Sequence, residues 1–195
     1  MIQQFDTAMF RFFNSLAGVS VWVDAAIRFC AAYLLYVMIA GALIFFFTAL
    51  LPRFRVMREK NIKAILFIAL SASIARITIA EPIRFLTHRE RPFEALAGVR
   101  QLVSHSNGAS FPSGHASLAF AVAAAVFFYY PKTGIFFFLA AFSIGIGRIA
   151  AGVHWPSDVA GGAIAGFIGA LLARHIMARY TAPPPFFHAT DESKG

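Results

Sequence analysis

The stretch PSGHASLAFAVAAAVFFYY, residues 112–130, decides the fold. Four residues that include a serine, a glycine and a histidine come first, and an apolar run then continues to Tyr130. A helix that begins near Ser113 would be long enough to cross roughly 30 Å of hydrocarbon at about 1.5 Å per residue. The stretch therefore predicts a membrane helix with a histidine in its first turn.

The rest of the chain has the same apolar character. Apolar residues make up 59% of its 195 residues, 23 residues are Phe and only 13% are charged, which is far from a soluble globular composition. The length fits one domain. Further apolar runs of spanning or nearly spanning length are 25–51, 64–83, 134–151 and 159–177. The predicted fold is an all-α, polytopic membrane bundle of about five transmembrane helices.

The two ends of the chain differ from this bundle. Residues Phe5, Ala8, Met9, Phe12 and Phe13 have helical spacing around a polar face, which predicts a short interfacial helix. A cleaved signal peptide is the alternative, but a basic n-region and an unbroken apolar h-region are both missing, so we expect the segment to be retained. We predict one domain over residues 1–180 and a disordered, proline-rich tail over 181–195.

Charge predicts the orientation. The loop 52–63 carries five basic residues against Glu59, so the positive-inside rule makes it cytoplasmic. Five spans then put the N-terminus outside, the C-terminus in the cytoplasm, and segments 84–114 and 152–157 on the extracytoplasmic face. The outer loop is also basic, which conflicts with the rule unless its arginines bind an anion. Nucleic acid is set aside although the net charge is +8, because the charges lie at helix ends of a membrane protein.

Three clusters fall on the predicted outer face. In RFLTHRERP, six residues separate Arg84 from Arg91, and guanidinium forks match phosphate oxygens. In PSGH, the free N–H groups of a helix start would cradle an anion, with a hydroxyl from Ser113, close backbone approach at Gly114 and a titratable ring at His115. Taken singly, snorkelling anchors and a plain helix cap explain these two clusters as well.

The third cluster is GRIAAGVHWPSD, residues 147–158. Pro156 suits the first turn of a helix, so Asp158 would lie about one turn from His154 and hold one nitrogen of its ring. A carboxylate that fixes an imidazole makes a directed base or nucleophile, although a capping Asp beside an interfacial His is the alternative. Together with Arg148, the three clusters predict phosphoryl transfer, in which positioning and charge stabilisation dominate.

At these residues the chain resembles the type-2 phosphatidic acid phosphatase superfamily, which includes vanadium-dependent haloperoxidases. The resemblance rests on Arg84-x6-Arg91-Pro92, then 112–115, then Gly147-Arg148-x5-His154-x3-Asp158. It covers about 75 residues, and Arg84 stands where the family has lysine.

The resemblance implies a mechanism with no metal and no cofactor. His154 would attack phosphorus, Asp158 would orient it, and His115 would protonate the leaving oxygen and later activate water. The groups implied to hold the phosphate oxygens are Arg84, Arg91, Ser113, Gly114 and Arg148.

The substrate is predicted to be a lipid phosphate or diphosphate in the cell membrane. The short chain and outer site resemble bacterial undecaprenyl diphosphate phosphatases, which serve cell-wall synthesis. A phosphatidylglycerophosphate or phosphatidic acid phosphatase is the alternative, and an anion transporter fits less well because only Arg76 is deep in a span. The oligomeric state is left open.

Secondary roles are predicted for a few polar residues. Arg76 is expected in a buried structural pair, with Glu81 as a candidate partner. Gly162, Gly166 and Gly169 are expected to allow close helix packing. Four residues of the outer loop could either contact the substrate headgroup or simply lie at the surface, namely His88, Glu90, His105 and Asn107.

Overall fold

The computed structural model describes residues 2–49, 58–105 and 108–181. Over these ranges the protein is helical and contains no strand. The helices are α1 (Ile2–Asn14), α2 (Val21–Arg28), α3 (Leu34–Ala49), α4 (Arg58–Ser73), α5 (Glu81–Thr87), α6 (Pro92–Ala95), α7 (Gly114–Tyr129), α8 (Pro131–Ala150) and α9 (Pro156–Thr181). The predicted all-helical membrane bundle is confirmed.

Two of the long helices contain a π-helical turn. The turn Phe29–Tyr33 joins α2 to α3, and the turn Ile74–Ala80 joins α4 to α5. Such turns occur often at functional sites. The second turn contains Arg76 and leads directly into the helix that carries Arg84.

Four helical segments are long and apolar enough to cross a membrane: Val21–Ile44, Arg58–Ala95, Pro131–Ala150 and Pro156–Arg179. The fifth predicted span, α7, does begin next to Ser113, but its 16 residues are fewer than the ~20 that a spanning helix needs. It packs among its neighbours in the centre of the bundle, and 11 of its residues are buried. A helix enclosed in this way is covered by protein rather than by lipid.

Small residues bring the helices around α7 close together. A Cβ added to Gly162 would lie 2.6 Å from the Ser113 oxygen, and one added to Gly166 would lie 2.8 Å from the Ala121 nitrogen. Further along α9, a Cβ at Gly169 would lie 2.8 Å from the Ala75 nitrogen. The predicted packing role of these glycines is confirmed, since any side chain would push the helices apart.

The N-terminal helix α1 turns its polar face toward the protein. Phe5 and Phe12 are exposed, while Asp6, Phe10 and Asn14, spaced by four residues, are buried. The Asn14 amide donates to the carbonyl oxygen of Ala150 at the end of α8 (2.9 Å). The helix was predicted, but the inward direction of its polar residues was not. The predicted tail began at residue 181, but Thr181 is the last residue of α9, and residues 182–195 lie outside the described part.

Candidate active site

The three sequence clusters meet at one end of the bundle. The Ser113 amide donates to the carbonyl oxygen of Asp158 (2.9 Å), which joins the start of α7 to the start of α9. An Arg91 Nη1 lies 3.4 Å from His154 Nε2, which joins the first cluster to the third. Residues that are up to about 70 positions apart in the sequence therefore form a single site.

His154 and Asp158 form a buried pair at its centre. The ring of His154 is 1% exposed, and its Nδ1 lies 3.4 Å from Asp158 Oδ2. The same Oδ2 accepts a hydrogen bond from the backbone amide of Trp155 (2.8 Å). Pro156 starts α9 as the sequence predicts, and this places Asp158 in the first turn, where the helix dipole favours a carboxylate.

The surroundings of His154 favour its neutral form. Burial lowers the pKa of His154 well below the usual 6.5, and the positive charges of Arg148 and Arg91 lower it further. The ring therefore stays unprotonated at a pH where an exposed histidine would be half charged. With Nδ1 directed at Asp158, Nε2 has the lone pair that a nucleophile needs.

Arg91 and Arg84 lie side by side. Arg91 is fully buried, donates to the carbonyl oxygen of Val153 (2.9 Å), and shares the carbonyl oxygen of Ala109 with Arg84 (both 3.3 Å). Two guanidinium groups on one carbonyl oxygen concentrate positive charge at the site. Such a field favours a bound anion.

Arg148 reaches the site from the last turn of α8. It is 3% exposed, and its Nη1 donates to the carbonyl oxygen of Ala31 (3.3 Å). Among the described residues, Arg148 Nε and Nη2 and Arg91 Nε have no hydrogen-bond partner. Buried guanidinium nitrogens without a partner are costly, and phosphate oxygens would satisfy them.

The start of α7 forms the opposite wall. Ser113 is the N-cap, is fully buried, and accepts from the Ala116 amide (3.5 Å). Half-buried His115 follows in the first turn. A Cβ added to Gly114 would lie 2.9 Å from Arg76 Cζ, so Gly114 allows this arginine to approach the helix start.

The position of Arg76 refines the prediction made for it. The ion pair with Glu81 forms as predicted, but it is not buried, since the two side chains are 33% and 47% exposed. Glu81 also accepts from Arg84 (3.4 Å). Because its guanidinium group lies against Gly114, Arg76 belongs to the edge of the site. The sequence spacing alone predicts a deeper location.

Two site residues were missed in the sequence. Arg89 donates to Asp158 Oδ1 (2.7 Å) and to Asp6 Oδ2 (2.6 Å), and both carboxylates are buried. Arg89 was noticed only as one basic residue of the outer loop, and Asp6 was not singled out. The signal for Asp6 was that Asp6, Phe10 and Asn14 follow one another at four-residue intervals, which puts them on one side of α1.

The remaining loop residues have smaller roles. His88 is exposed and ends α5 with a positive φ of 44°. The carbonyl oxygen of Glu90 accepts from Trp155 Nε1 (2.9 Å), and the His105 ring lies 6.0 Å from that of His154. Asn107 lies outside the described residues. Within the described ranges, no three His, Cys, Asp or Glu side chains are grouped as metal ligands.

Buried arginines around a histidine–aspartate pair, at the ends of membrane helices, define a membrane phosphotransfer site. Residues 62–182 match the model of the PAP2 superfamily, which is more than half of the chain. The chain belongs to this superfamily and is a multi-pass membrane enzyme, a lipid phosphatase. The family and enzyme class predicted from the sequence are confirmed.

Named relatives are bacterial. The chain is 32% identical over 162 residues to the bacitracin transport permease protein BcrC of Bacillus licheniformis, covering 83% of this chain and 75% of that protein. It is 35% identical over 95 residues to the undecaprenyl-diphosphatase BcrC of Bacillus subtilis (strain 168), covering 49% of each chain. Its fold is similar to the crystal structure of Aquifex aeolicus LpxE, with a TM-score of 0.70, 26% identity, and coverage of 87% of this chain and 94% of that one.

Proposed function

We propose that this phosphatase hydrolyses an isoprenoid diphosphate, undecaprenyl diphosphate, to undecaprenyl phosphate through a phosphohistidine. The observation that carries the mechanism is the environment of His154: Nδ1 faces a buried carboxylate, and Nε2 faces a buried arginine at 3.4 Å. A neutral imidazole held in this way is oriented toward an anion bound by the arginines.

In the first step, His154 Nε2 attacks the terminal phosphorus in line. The new P–N bond forms as the P–O bond to the lipid phosphate breaks, and His115 gives a proton to the leaving oxygen. Burial and the nearby arginines lower the pKa of His115, so we propose that it takes up this proton when the negative charge of the bound diphosphate offsets those arginines. Asp158 holds the ring and stabilises the positive charge that develops on it. The phosphate oxygens are held by three arginines and the start of α7, namely Arg84, Arg91, Arg148, the Ser113 hydroxyl and the Gly114 amide.

In the second step, water attacks the phosphohistidine. His115, now neutral, takes a proton from the water as the new P–O bond forms and the P–N bond to His154 breaks. Inorganic phosphate leaves, and His115 is again protonated for the next turnover. No electron transfer is involved, and we propose that no metal is needed.

An apolar groove near the site supports a substrate with a long tail. Two cavities of about 220 and 170 Å³ share Ala42, Ile65 and Ile68, between α3 and α4. A third wall has four-residue spacing and begins three residues after His115; it consists of Leu118, Val122 and Val126 of α7 and Tyr130, which follows α7. A groove with this apolar lining suits an isoprenoid chain.

We also propose that the site faces the extracytoplasmic side and that the C-terminus is cytoplasmic. The basic residues Arg58, Lys60 and Lys63 lie at the start of α4, and the site lies beyond the other end of the same span. Asp6 contacts Arg89, so α1 lies on the side of the membrane where the site is.

A phosphatidylglycerophosphate or phosphatidic acid phosphatase would use the same catalytic residues, and this is the second candidate. Anion transport is less well supported for this chain, although the B. licheniformis relative is named a bacitracin transport permease. The arginine expected to be deepest, Arg76, is paired with Glu81 and lies against the start of α7. The arginines thus gather at one end of the bundle rather than along a path across it.

The test is phosphate release by the purified protein from undecaprenyl diphosphate, phosphatidylglycerophosphate and phosphatidic acid in the same detergent. We expect the highest kcat/KM on the diphosphate, unchanged activity in EDTA and inhibition by vanadate. Preference for either glycerolipid would replace the proposed substrate. Loss of activity in EDTA that Mg²⁺ restores would reject the mechanism.

A further inference from the structure

A chain of charges connects α1 to the histidine–aspartate pair: two buried carboxylates and, between them, the half-buried guanidinium group of Arg89. Arg89 donates to Asp6 Oδ2 (2.6 Å) with one nitrogen and to Asp158 Oδ1 (2.7 Å) with the other. Asp6 is 1% exposed and Asp158 is fully buried. A buried carboxylate is costly unless a cation and hydrogen bonds compensate it, and Arg89 is the cation that both of these contact.

Arg89 determines how the carboxylate of Asp158 is oriented. Oδ1 is bonded to Arg89, so Oδ2 is the oxygen directed at His154 Nδ1 and at the Trp155 amide. The guanidinium group of Arg89 also lies over the Trp155 ring, 5.4 Å from its centroid. Rotation of the carboxylate would break three contacts together, so the oxygen that faces the histidine is fixed.

Asp6 completes the arrangement from α1. Its Oδ1 accepts from the Ser157 amide (2.9 Å) in the first turn of α9, and its Oδ2 accepts from Ser157 Oγ and from Arg89. Ser157 Oγ is also 2.6 Å from an Arg89 nitrogen. One side chain of α1 thus holds both Arg89 and the turn that carries Asp158.

We propose that Arg89 and Asp6 are positioning residues for catalysis, which act on His154 through Asp158. The inference rests on the proposed roles of His154 and Asp158. It makes α1 part of the catalytic unit, in addition to its predicted contact with the membrane interface. Neither residue touches the phosphate: Arg89 keeps Asp158 charged and oriented, and Asp6 keeps Arg89 in place.

The pH dependence of kcat distinguishes a positioning role from a merely structural one, because loss of a structural contact alone would leave it unchanged. The charged or titratable groups that face Asp158 and His154 are Arg89, Arg84, Arg91, Arg148, Asp6, His105 and His115. Removing the positive charge of Arg89 makes protonation of His154 easier. The acid limb of kcat should therefore move to higher pH. Removing the negative charge of Asp6 acts in the opposite direction and should not raise it.

The experiment compares Arg89→Gln, Arg89→Lys and Asp6→Asn in the full-length protein, with Asp24→Asn as the matched control. Asp24 is a carboxylate of the same N-terminal region whose Oδ1 accepts from the Gly18 amide (2.7 Å), away from the site. We expect Arg89→Gln to lower kcat roughly 10- to 100-fold, the range for a lost charge-assisted hydrogen bond, with KM nearly unchanged. Arg89→Lys should restore the wild-type acid limb and part of kcat.

Asp6→Asn should lower kcat without raising the acid limb, and Asp24→Asn should match the wild type. Size-exclusion elution and thermal unfolding of each variant show that the measured rates come from folded protein. Wild-type kcat and an unmoved limb in Arg89→Gln would overturn the inference. His154→Ala, measured in parallel, separates the two proposals: an active His154→Ala rejects the proposed function, whereas an inactive one beside a normal Arg89→Gln rejects only this inference.

Discussion

The amide of Ser113 donates a 2.9 Å hydrogen bond to the carbonyl oxygen of Asp158. This bond joins the N-cap of α7 to the first turn of α9. The helix start proposed to hold phosphate and the carboxylate proposed to orient the nucleophile are thus parts of one rigid unit. A shift of either helix would change the distance between nucleophile and phosphate.

Gly162 controls this junction, so Gly162→Ala should impair catalysis. The added Cβ would lie 2.6 Å from the Ser113 oxygen, which the backbone cannot relieve without moving α7. We expect a destabilisation of about 1–3 kcal/mol and a loss of kcat on the order of 10²-fold. Gly41→Ala is the matched control, because its added Cβ meets nothing within 4 Å. Both variants are assayed on p-nitrophenyl phosphate, since Gly41 lines one of the apolar cavities proposed for the lipid tail. Equal activity of the two variants would contradict the rigid-unit interpretation.

Variants of His154 and Asp158 should distinguish the role of the nucleophile from that of the group that orients it. His154→Ala removes the covalent route and should lower kcat on every substrate by about 10⁴-fold or more. Asp158→Asn should retain a small activity, since the ring remains but is poorly oriented. Trapping of radiolabelled phosphoprotein with an alkaline quench tests the pair directly. Label that persists in His154→Ala would assign the nucleophile to another residue.

His115→Ala should affect the two steps differently. A substrate such as p-nitrophenyl phosphate departs without needing a proton, so the phosphoenzyme should still form from it. The intermediate should then accumulate, because the attacking water has lost its base. Rapid mixing followed by the alkaline quench measures both phases. If formation is lost as completely as in His154→Ala, His115 serves binding instead.

Filling the apolar groove should act on lipid substrates alone. Ala42 lines both cavities, so Ala42→Phe would occupy space proposed for the tail. We expect KM for undecaprenyl diphosphate to rise about tenfold, which corresponds to ~1.4 kcal/mol of lost binding. Hydrolysis of p-nitrophenyl phosphate serves as the internal control and should be unchanged. A KM that stays at the wild-type value would place the tail elsewhere.

The orientation can be tested with single cysteines. In a Cys30→Ala background, Gln101→Cys should react with an impermeant thiol reagent in intact cells, whereas Arg58→Cys should react only after permeabilisation. Both positions are exposed in the structure and lie toward opposite ends of the second span. The reverse pattern would put the site on the cytoplasmic side and reject undecaprenyl diphosphate as the substrate.

The parts of the site that follow local rules could be predicted from the sequence. Pro156 fixed the start of α9 and therefore the distance from His154 to Asp158, and the N-cap at Ser113 follows from the residue types around it. Asp6 and Arg89 could not be found in this way. Arg89 is 83 positions from Asp6 and 69 positions from Asp158 in the sequence, and only the tertiary packing of the protein brings these residues together. The π-helical turn at Ile74–Ala80 also has no periodic signal, so the location of Arg76 beside Gly114 was missed.

The inward polar face of α1 matters for anyone who shortens or tags this chain. By hydropathy, residues 2–14 look like a dispensable surface anchor with two exposed phenylalanines. Their removal would instead take away a carboxylate that Arg89 and Ser157 share, and an amide that fastens the end of α8. A protein that lacks these residues could therefore purify well and still be inactive. Its inactivity would reflect the missing contacts of α1 with the site and not the choice of substrate.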